Sequence, residues 1–189
     1  QCFDLSAVKS YQENPSHKGM SSSQYANPCD PTGVVNHLDF VILGATEIDK
    51  DFNVNVTTAS SGAIIGGSGG HADASCGAKV TIITTQLVKS RLPIIKDKVL
   101  TVTTPGCDVD CLVTEYGIAI NPKRVDLLEL LKQTPIKILS MDELYNIAIN
   151  ITQKPREIAL SKDVIGLIKY RDGTIIDCIY APLKRGDSV

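Results

Sequence analysis

The chain has 189 residues, a formal net charge of −2 at pH 7 and a hydrophobic content of 43%. This length suffices for one substantial domain, and the balanced charge argues against nucleic acid or an anionic membrane as a partner. No apolar run approaches a membrane span and no signal pattern is seen, so a cytoplasmic protein is expected.

The first 37 residues are polar and rich in Asn-Pro and Asp-Pro turn signals. We expect residues 1–37 to be irregular and to pack on an N-terminal domain that is missing from this sequence. Residues 38–189 are predicted to form an α/β domain. A continuous apolar run at 38–43 indicates a first strand that is buried on both faces.

Further strands are predicted at 54–57, 80–85, 99–103, 110–114, 118–120 and 136–139. An apolar helical stripe lies near 125–131, and Ser140 with Glu143 has the spacing of a capping box before a second helix. Asp172-Gly173 between two β-rich runs predicts a C-terminal hairpin with a type I′ turn. The order predicts an open, mostly parallel sheet with flanking helices and an antiparallel edge.

The densest signal is the run Gly66-Gly67-Ser68-Gly69-Gly70, which belongs to a region holding six of the 14 glycines. Glycine costs backbone entropy on folding, so such a cluster needs a reason. One reason is a structural turn. Another is close approach of backbone N–H groups to a ligand at the mouth of an α/β sheet.

Two enzyme signatures match this run only in part. The G-x-S-x-G elbow of serine hydrolases needs a later histidine. The three histidines are His17, His37 and His71, and none of them lies beyond the loop. The dinucleotide pattern G-x-G-x-x-A needs an acid about 20 residues further on, where none stands. Acyl transfer from a thioester to a carboxylate needs only an oxyanion pocket, because the acceptor is already an anion. An oxyanion pocket of this kind explains a glycine loop without a catalytic triad.

Six segments in register resemble the alpha-subunit family of bacterial citrate lyase: LGATEID (43–49), DFNVNV (51–56), GGSGGHADASCGAK (66–79), TTPG (103–106), LVTE (112–115) and GIAINP (117–122). The resemblance implies a fold of the NagB/RpiA/CoA-transferase type. It also implies citrate CoA-transferase activity, in which citrate replaces acetate on an acyl-carrier thioester before cleavage to oxaloacetate. The family's subunit is longer, so the chain is expected to match its C-terminal domain and to be inactive alone.

The resemblance also suggests residue roles. Gly67, Ser68, Gly69 and Gly70 would supply oxyanion N–H groups, and His71 would bind the thioester or a citrate carboxylate, or else cap the following helix. The other expected substrate-binding residues are Glu47, Glu115 and Arg91, for each of which a structural or surface role remains open.

The implied thioester is a CoA thioester or an acyl-carrier prosthetic group of the dephospho-CoA type, and no covalently bound cofactor is expected. Implied partners are citrate, an acetyl thioester, the acyl-carrier (gamma) subunit and the lyase (beta) subunit. The start of the chain carries no glutamate nucleophile, which favours direct attack by citrate through a mixed anhydride. A non-catalytic docking domain of the same complex and another acyl-CoA transferase remain alternatives.

The six cysteines are expected to be reduced thiols. Cys107 and Cys111 form a C-x3-C pair without a second pair at zinc spacing, so no metal site is predicted.

Overall fold

The computed structural model describes residues 4–156 and 158–183. Its helices are α1 (Leu5–Glu13), α2 (Ser22–Ala26), α3 (His71–Gly77), α4 (Val125–Leu131) and α5 (Met141–Thr152). Its strands are β1 (Phe40–Gly44), β2 (Glu47–Asp49), β3 (Val54–Asn55), β4 (Val80–Thr84), β5 (Val88–Lys89), β6 (Leu92–Pro93), β7 (Ile95–Lys96), β8 (Cys111–Thr114), β9 (Gly117–Ile120), β10 (Leu160–Lys169) and β11 (Ile175–Pro182). Short 3-10 turns lie at Val34–His37 and Gly106–Asp108.

The main sheet has the strand order β1-β4-β8-β9. Strands β1, β4 and β8 run parallel, and β9 pairs antiparallel with β8 at the edge. The prediction of a mostly parallel sheet with an antiparallel edge is therefore confirmed. Strand β1 lies at the other edge, and its burial alternates between exposed and half-buried residues, so the prediction that it is buried on both faces is wrong. Phe40 and Ile42 are 60% and 57% exposed on this strand.

A second, three-stranded sheet has the order β3-β2-β7 and lies beside the main sheet in the chain's core. Ile48 of β2, Ile95 of β7 and Leu112 of β8 are fully buried in one hydrophobic cluster. Leu144 of α5 joins the same cluster, so this helix covers the core through one face. The predicted capping box starts α5, since Ser140 accepts from the Glu143 N–H and the Glu143 side chain accepts from the Ser140 N–H.

The C-terminal hairpin of β10 and β11 is present as predicted, but its turn is not of type I′. The Gly173 N–H donates to the Tyr170 carbonyl, and only Gly173, not Asp172, has a positive φ (+89°). This is the longer connection in which a type I turn precedes a left-handed glycine. A two-residue turn with two positive φ values occurs instead at Ser90 and Arg91, between β5 and β6.

The N-terminal segment is more ordered than predicted. Asp4 caps α1, and Ser21 with Gln24 forms a capping box at α2, so local side-chain bonds organise short helices between the turn signals. Neither helix has a buried residue. Val35, in contrast, is fully buried, and its carbonyl lies against Gly77 of α3. The end of this segment therefore packs on the α/β domain itself.

Two predicted strands do not form. In the region 99–103 side chains bind two of the backbone N–H groups, since the Val102 N–H donates to Asp177 Oδ2 (2.6 Å) and the Val99 N–H to Asp49 Oδ2 (3.3 Å). The Thr103 N–H donates to the Val54 carbonyl (2.8 Å), but no ladder forms. The region 136–139 makes a single bridge, between Ile138 and Ile118. Of these two runs, Leu139 packs against the hydrophobic core, and an apolar run alone does not distinguish such packing from strand pairing.

Along the part of the chain that the structure describes, no helix combines the length and apolar character needed to cross a membrane. The five described cysteines are all free thiols, as expected, and Cys2 lies outside the described residues. Burial raises the pKa of the Cys111 thiol to about 11, so this thiol is unreactive at neutral pH.

Candidate functional site

The glycine loop, residues 66–70, connects a narrow hairpin to helix α3. Thr58 and Ile64 pair in this hairpin. The Thr57 carbonyl accepts from the N–H groups of Ile65 (2.9 Å) and Gly66 (3.4 Å), which fixes where the loop begins. The loop ends where the His71 N–H donates to the Ser68 carbonyl at 3.0 Å.

The fold does not account for all of the loop's glycines. A Cβ built on Gly67, Gly69 or Gly70 meets no heavy atom within 4 Å, so each position is open space. Gly69 has a φ of +53°, a left-handed value that favours glycine. Gly67 and Gly70 have no such constraint, and Gly70 has a φ of −90°. Their missing side chains therefore leave room for something outside the protein.

The loop also presents unused hydrogen-bond donors. In the described part of the chain, the N–H groups of Gly67, Ser68, Gly69 and Gly70 donate to no acceptor, whereas their neighbours at Gly66 and His71 do. The four residues are exposed or half-buried, so these donors face solvent-accessible space. Consecutive free N–H groups that converge on an open position can stabilise a developing oxyanion.

His71 anchors the loop to the sheet through both ring nitrogens. Nε2 lies 3.0 Å from the Gly44 carbonyl oxygen, and Nδ1 lies 2.7 Å from Thr104 Oγ1. Because a carbonyl oxygen only accepts, Nε2 carries the proton, and in the neutral ring Nδ1 accepts from the Thr104 hydroxyl. Burial lowers the pKa of His71 below its ordinary value, which favours this neutral form. The ring thus holds the loop in place, and in this arrangement neither nitrogen is free for a substrate.

These contacts bring the loop to one edge of the main sheet. Gly44 at the end of β1 pairs with Thr84 at the end of β4, and Thr84 pairs with Val113 near the end of β8. The carboxyl ends of these parallel strands share an edge, where open α/β sheets bind their ligands. Since β8 is followed directly by Glu115, this residue lies at the same edge as the loop's anchor.

Glu115 and Arg91 are the other two residues for which a substrate contact was predicted. The Glu115 carboxylate accepts from the Leu87 N–H at 3.0 and 3.1 Å and so fixes the connection that follows β4. Arg91 is exposed at the positive-φ turn between β5 and β6. Contacts with the glycine loop are found for neither side chain among the described residues, and their substrate roles stay predictions.

Glu47 is buried, with 3% of its surface exposed, and it is paired. Its Oε1 lies 3.3 Å from Lys96 Nζ and accepts a short hydrogen bond from the Ser60 hydroxyl. Its Oε2 accepts from Asn55 Nδ2 at 3.2 Å. The carboxylate is thus held in a structural network.

The same network extends beneath the base of the glycine loop. Asn55 Nδ2 also donates to the Thr58 carbonyl, and Thr58 Oγ1 donates to Thr101 Oγ1 at 3.0 Å. Thr57 and Thr103 share a hydrogen bond of 2.9 Å between their hydroxyls. No role was predicted for these threonines or for Thr104. Thr103 and Thr104 lie in the TTPG segment that carries the family resemblance, and the strand predicted at 99–103 included Thr101 and Thr103.

No metal centre is apparent: the described residues contain no group of three or more His, Cys, Asp or Glu side chains placed to hold an ion.

Comparison with known proteins gives the family. The family model described as citrate lyase, alpha subunit, matches residues 1–181. The chain is 46% identical to the citrate lyase alpha chain of Haemophilus influenzae over 180 residues and 46% identical to that of Klebsiella pneumoniae over 179 residues. The chain belongs to the citrate lyase alpha-subunit family. The resemblance that the six segments indicated is thereby confirmed.

The fold is shared with a solved relative as well. A Streptococcus mutans protein described as the alpha subunit of citrate lyase, solved in complex with citrate, matches with a TM-score of 0.90 and 42% identity. Each match covers 95% of this chain. The chain spans only about a third of each relative's length, between 35% and 36%.

Proposed function

We propose that the glycine loop is the oxyanion pocket of a citrate CoA-transferase site, which exchanges acetate for citrate on an acyl-carrier thioester. The observation that carries this proposal is the combination of open Cβ positions at Gly67 and Gly70 with four unused N–H donors. Membership of the citrate lyase alpha-subunit family supports it, since a subunit that transfers an acyl group to citrate must hold both a carboxylate acceptor and a thioester.

The proposed reaction needs no protein nucleophile. A carboxylate oxygen of citrate attacks the carbonyl carbon of the acetyl thioester, and the carbonyl oxygen becomes an oxyanion that the loop N–H groups stabilise. Collapse of this intermediate breaks the C–S bond and leaves a citryl–acetyl mixed anhydride and a thiolate. The thiolate then attacks the citryl carbonyl and releases acetate. Citrate is already ionised at neutral pH, so no general base is required to activate it.

His71 has a positioning role in this proposal. Its two hydrogen bonds fix the end of the loop to β1 and to Thr104, so the N–H groups need no reorganisation during the reaction. Glu115 and Arg91 remain proposed contacts for substrate groups at the same side of the sheet. Glu47 is better suited to supporting the hairpin, because its carboxylate is already bound to Lys96, Ser60 and Asn55.

The thioester is proposed to arrive on a dephospho-CoA-type prosthetic group of the gamma subunit or as a CoA thioester, in the cytoplasm. The citryl product would pass to the beta subunit. The remainder of a full-length alpha subunit is proposed to form the other wall of the site.

The proposal is tested by thioester exchange in the complete enzyme that carries this chain. Acetyl thioester and citrate are supplied, and the citryl thioester is measured in wild type, Gly67→Ala and Gly70→Ala. Loss of one oxyanion donor typically costs 10²–10³-fold in rate, and we expect a similar loss when a methyl group blocks the approach. Gly173→Asn, at an exposed turn where asparagine tolerates a positive φ, serves as the control.

A docking role is the second candidate, and the C-terminal hairpin favours it. Val164, Ile165, Leu167 and Ile175 of this hairpin are each about half exposed. Complex assembly is therefore measured beside exchange in the same variants. Loss of assembly with full exchange in Gly67→Ala would support docking and contradict the oxyanion assignment.

A further inference from the structure

A separate charged cleft of about 290 Å³ lies at the tip of the hairpin that carries the glycine loop. Ser60, in the turn of this hairpin, lines the cleft, while Thr57 and Gly66 join at the hairpin's base. Ser60 lies three positions after Thr57 in the chain, a step that spans at most about 10 Å. The cleft and the glycine loop therefore occupy opposite ends of one short element.

The cleft is lined by three basic side chains and one acidic side chain among the described residues. Lys96 and Glu47 form its floor, with side chains only 14% and 4% exposed, and neutralise each other. Lys98 and Arg156 stand at its rim and are exposed. The described lining thus has an excess of positive charge at the rim above a neutral floor.

The rim cations are available to an incoming anion. Lys98 Nζ lies 3.1 Å from Asp51 Oδ2, but both side chains are highly exposed, at 78% and 65%. An exposed pair of this kind contributes about 0–1 kcal/mol, so a ligand carboxylate can replace it at little cost. Arginine also matches a carboxylate through two parallel hydrogen bonds.

The walls between these charges are apolar. Val99, Leu100, Pro155 and Ile158 line the same cleft. A ligand that fits must present separated negative groups to the two rim cations and a carbon skeleton to these walls. A single phosphate satisfies the first requirement poorly and the second not at all.

We propose that this cleft binds a small di- or tricarboxylate anion at a site distinct from the glycine loop. Among the described residues that line the cleft, none belongs to the glycine loop, so a carboxylate held here leaves the loop's N–H groups free. Occupancy instead acts on the turn at Ser60, whose hydroxyl also bonds Glu47. The site does not depend on whether the loop performs transfer.

The test is a calorimetric titration of the complete protein with citrate and with tricarballylate, with phosphate and acetate as comparison anions. The variant Lys98→Met/Arg156→Gln removes both rim charges at exposed positions, and Lys79→Met removes an exposed lysine paired with Asp39 elsewhere. We expect the affinity of one class of tricarboxylate sites to fall at least 10-fold in the double variant and to remain unchanged in Lys79→Met.

Charge reversal by Lys98→Glu should weaken the same class of sites further, which guards against a folding defect in the double variant. Equal stoichiometry and affinity in wild type and both rim variants would overturn the proposal. Phosphate binding as tight as tricarboxylate binding would also overturn it. Exchange by Gly67→Ala distinguishes the two sites, because that variant should lose transfer and keep the cleft.

Discussion

The chain contains two kinds of glycine, and the difference separates fold from function. Gly77 and Gly106 are enclosed: a Cβ on Gly77 would lie 2.6 Å from the Val35 carbonyl oxygen, and one on Gly106 would overlap the Asp51 carbonyl oxygen. Gly67 and Gly70 face open space. Packing requires the first pair and does not require the second. A residue type that the fold does not require is a sign of an external ligand, especially beside unused N–H donors.

The same contrast applies to hydrogen bonding. The Gly106 N–H donates to Asn53 Oδ1 at 2.9 Å, and its carbonyl accepts from Asn121 Nδ2 at 2.9 Å. Both of its backbone groups are therefore satisfied within the protein. The N–H donors of residues 67–70 have no such partners. Unpaired donors would destabilise the fold if they were buried, but at an exposed site they can bind a ligand.

The largest expected effect on stability is that of Gly106→Ala. Its methyl group would have to displace the backbone of Asp51, and backbone moves less easily than a flexible side chain. We expect a loss of about 3 kcal/mol or more in the free energy of unfolding, measured by denaturant titration. An unchanged unfolding midpoint would show that this glycine is as unconstrained as those of the loop.

The next largest expected effect on stability is that of a change at His71, because this residue joins the glycine loop to the end of β1 and to Thr104. His71→Leu removes two hydrogen bonds and leaves the Gly44 carbonyl and the Thr104 hydroxyl without this partner. We expect a loss of about 1–3 kcal/mol at pH 7.5 by thermal or denaturant unfolding. His71→Gln should restore part of it, because its amide can reach one of the two partners.

The pH dependence of the free energy of unfolding distinguishes this hydrogen-bonding role of His71 from a role in packing alone. Desolvation lowers the pKa of folded His71, so the unfolded state binds more protons as the pH falls. The stability from this group is fully present above its ordinary pKa of about 6.5 and is lost as the pH falls through the lowered value. The slope should disappear in His71→Leu and persist in His17→Gln, a change on the exposed N-terminal segment. If the slope of stability against pH persists in His71→Leu, another titratable group is responsible for it.

The sequence predicted the parts of the fold that local pattern controls. The Ser140–Glu143 capping box and the hairpin around Gly173 follow from spacing within a few residues, and the mostly parallel sheet follows from the order of the elements along the chain. The partners of His71 lie 27 and 33 residues away in sequence, at the end of β1 and in the connection before β8. No local pattern marks such a contact, so the interpretation of His71 as a substrate ligand or helix cap could not include it.

The burial of polar groups could not be predicted from the sequence for the same reason. For Glu47, which ends an apolar run, a substrate contact and a structural role were both left open, and no local pattern indicated that Lys96, from a strand 49 residues later, lies beside it in the core. The threonines at 101 and 103 read as a strand because β-branched residues favour strands. Their hydroxyls in fact join the hydrogen bonds beneath the glycine loop.

The smallest expected effect on stability is the most informative. Gly67→Ala and Gly70→Ala meet no neighbouring atom and no left-handed backbone, so we expect the free energy of unfolding to stay within about 0.5 kcal/mol of wild type or to rise slightly, because alanine restricts the unfolded chain. Gly69→Ala, at a φ of +53°, should cost about 1–2 kcal/mol in the same assay.

Stability and exchange together then decide what the loop is for. A fold element should lose stability and activity in parallel, whereas a ligand-facing backbone should lose exchange at full stability. Gly67→Ala is the sharpest case, since its methyl group would occupy the space in front of donors that nothing in the described protein uses. If that variant is as stable as wild type and exchanges acetate for citrate at the wild-type rate, the open space at Gly67 has no catalytic meaning, and the oxyanion assignment fails.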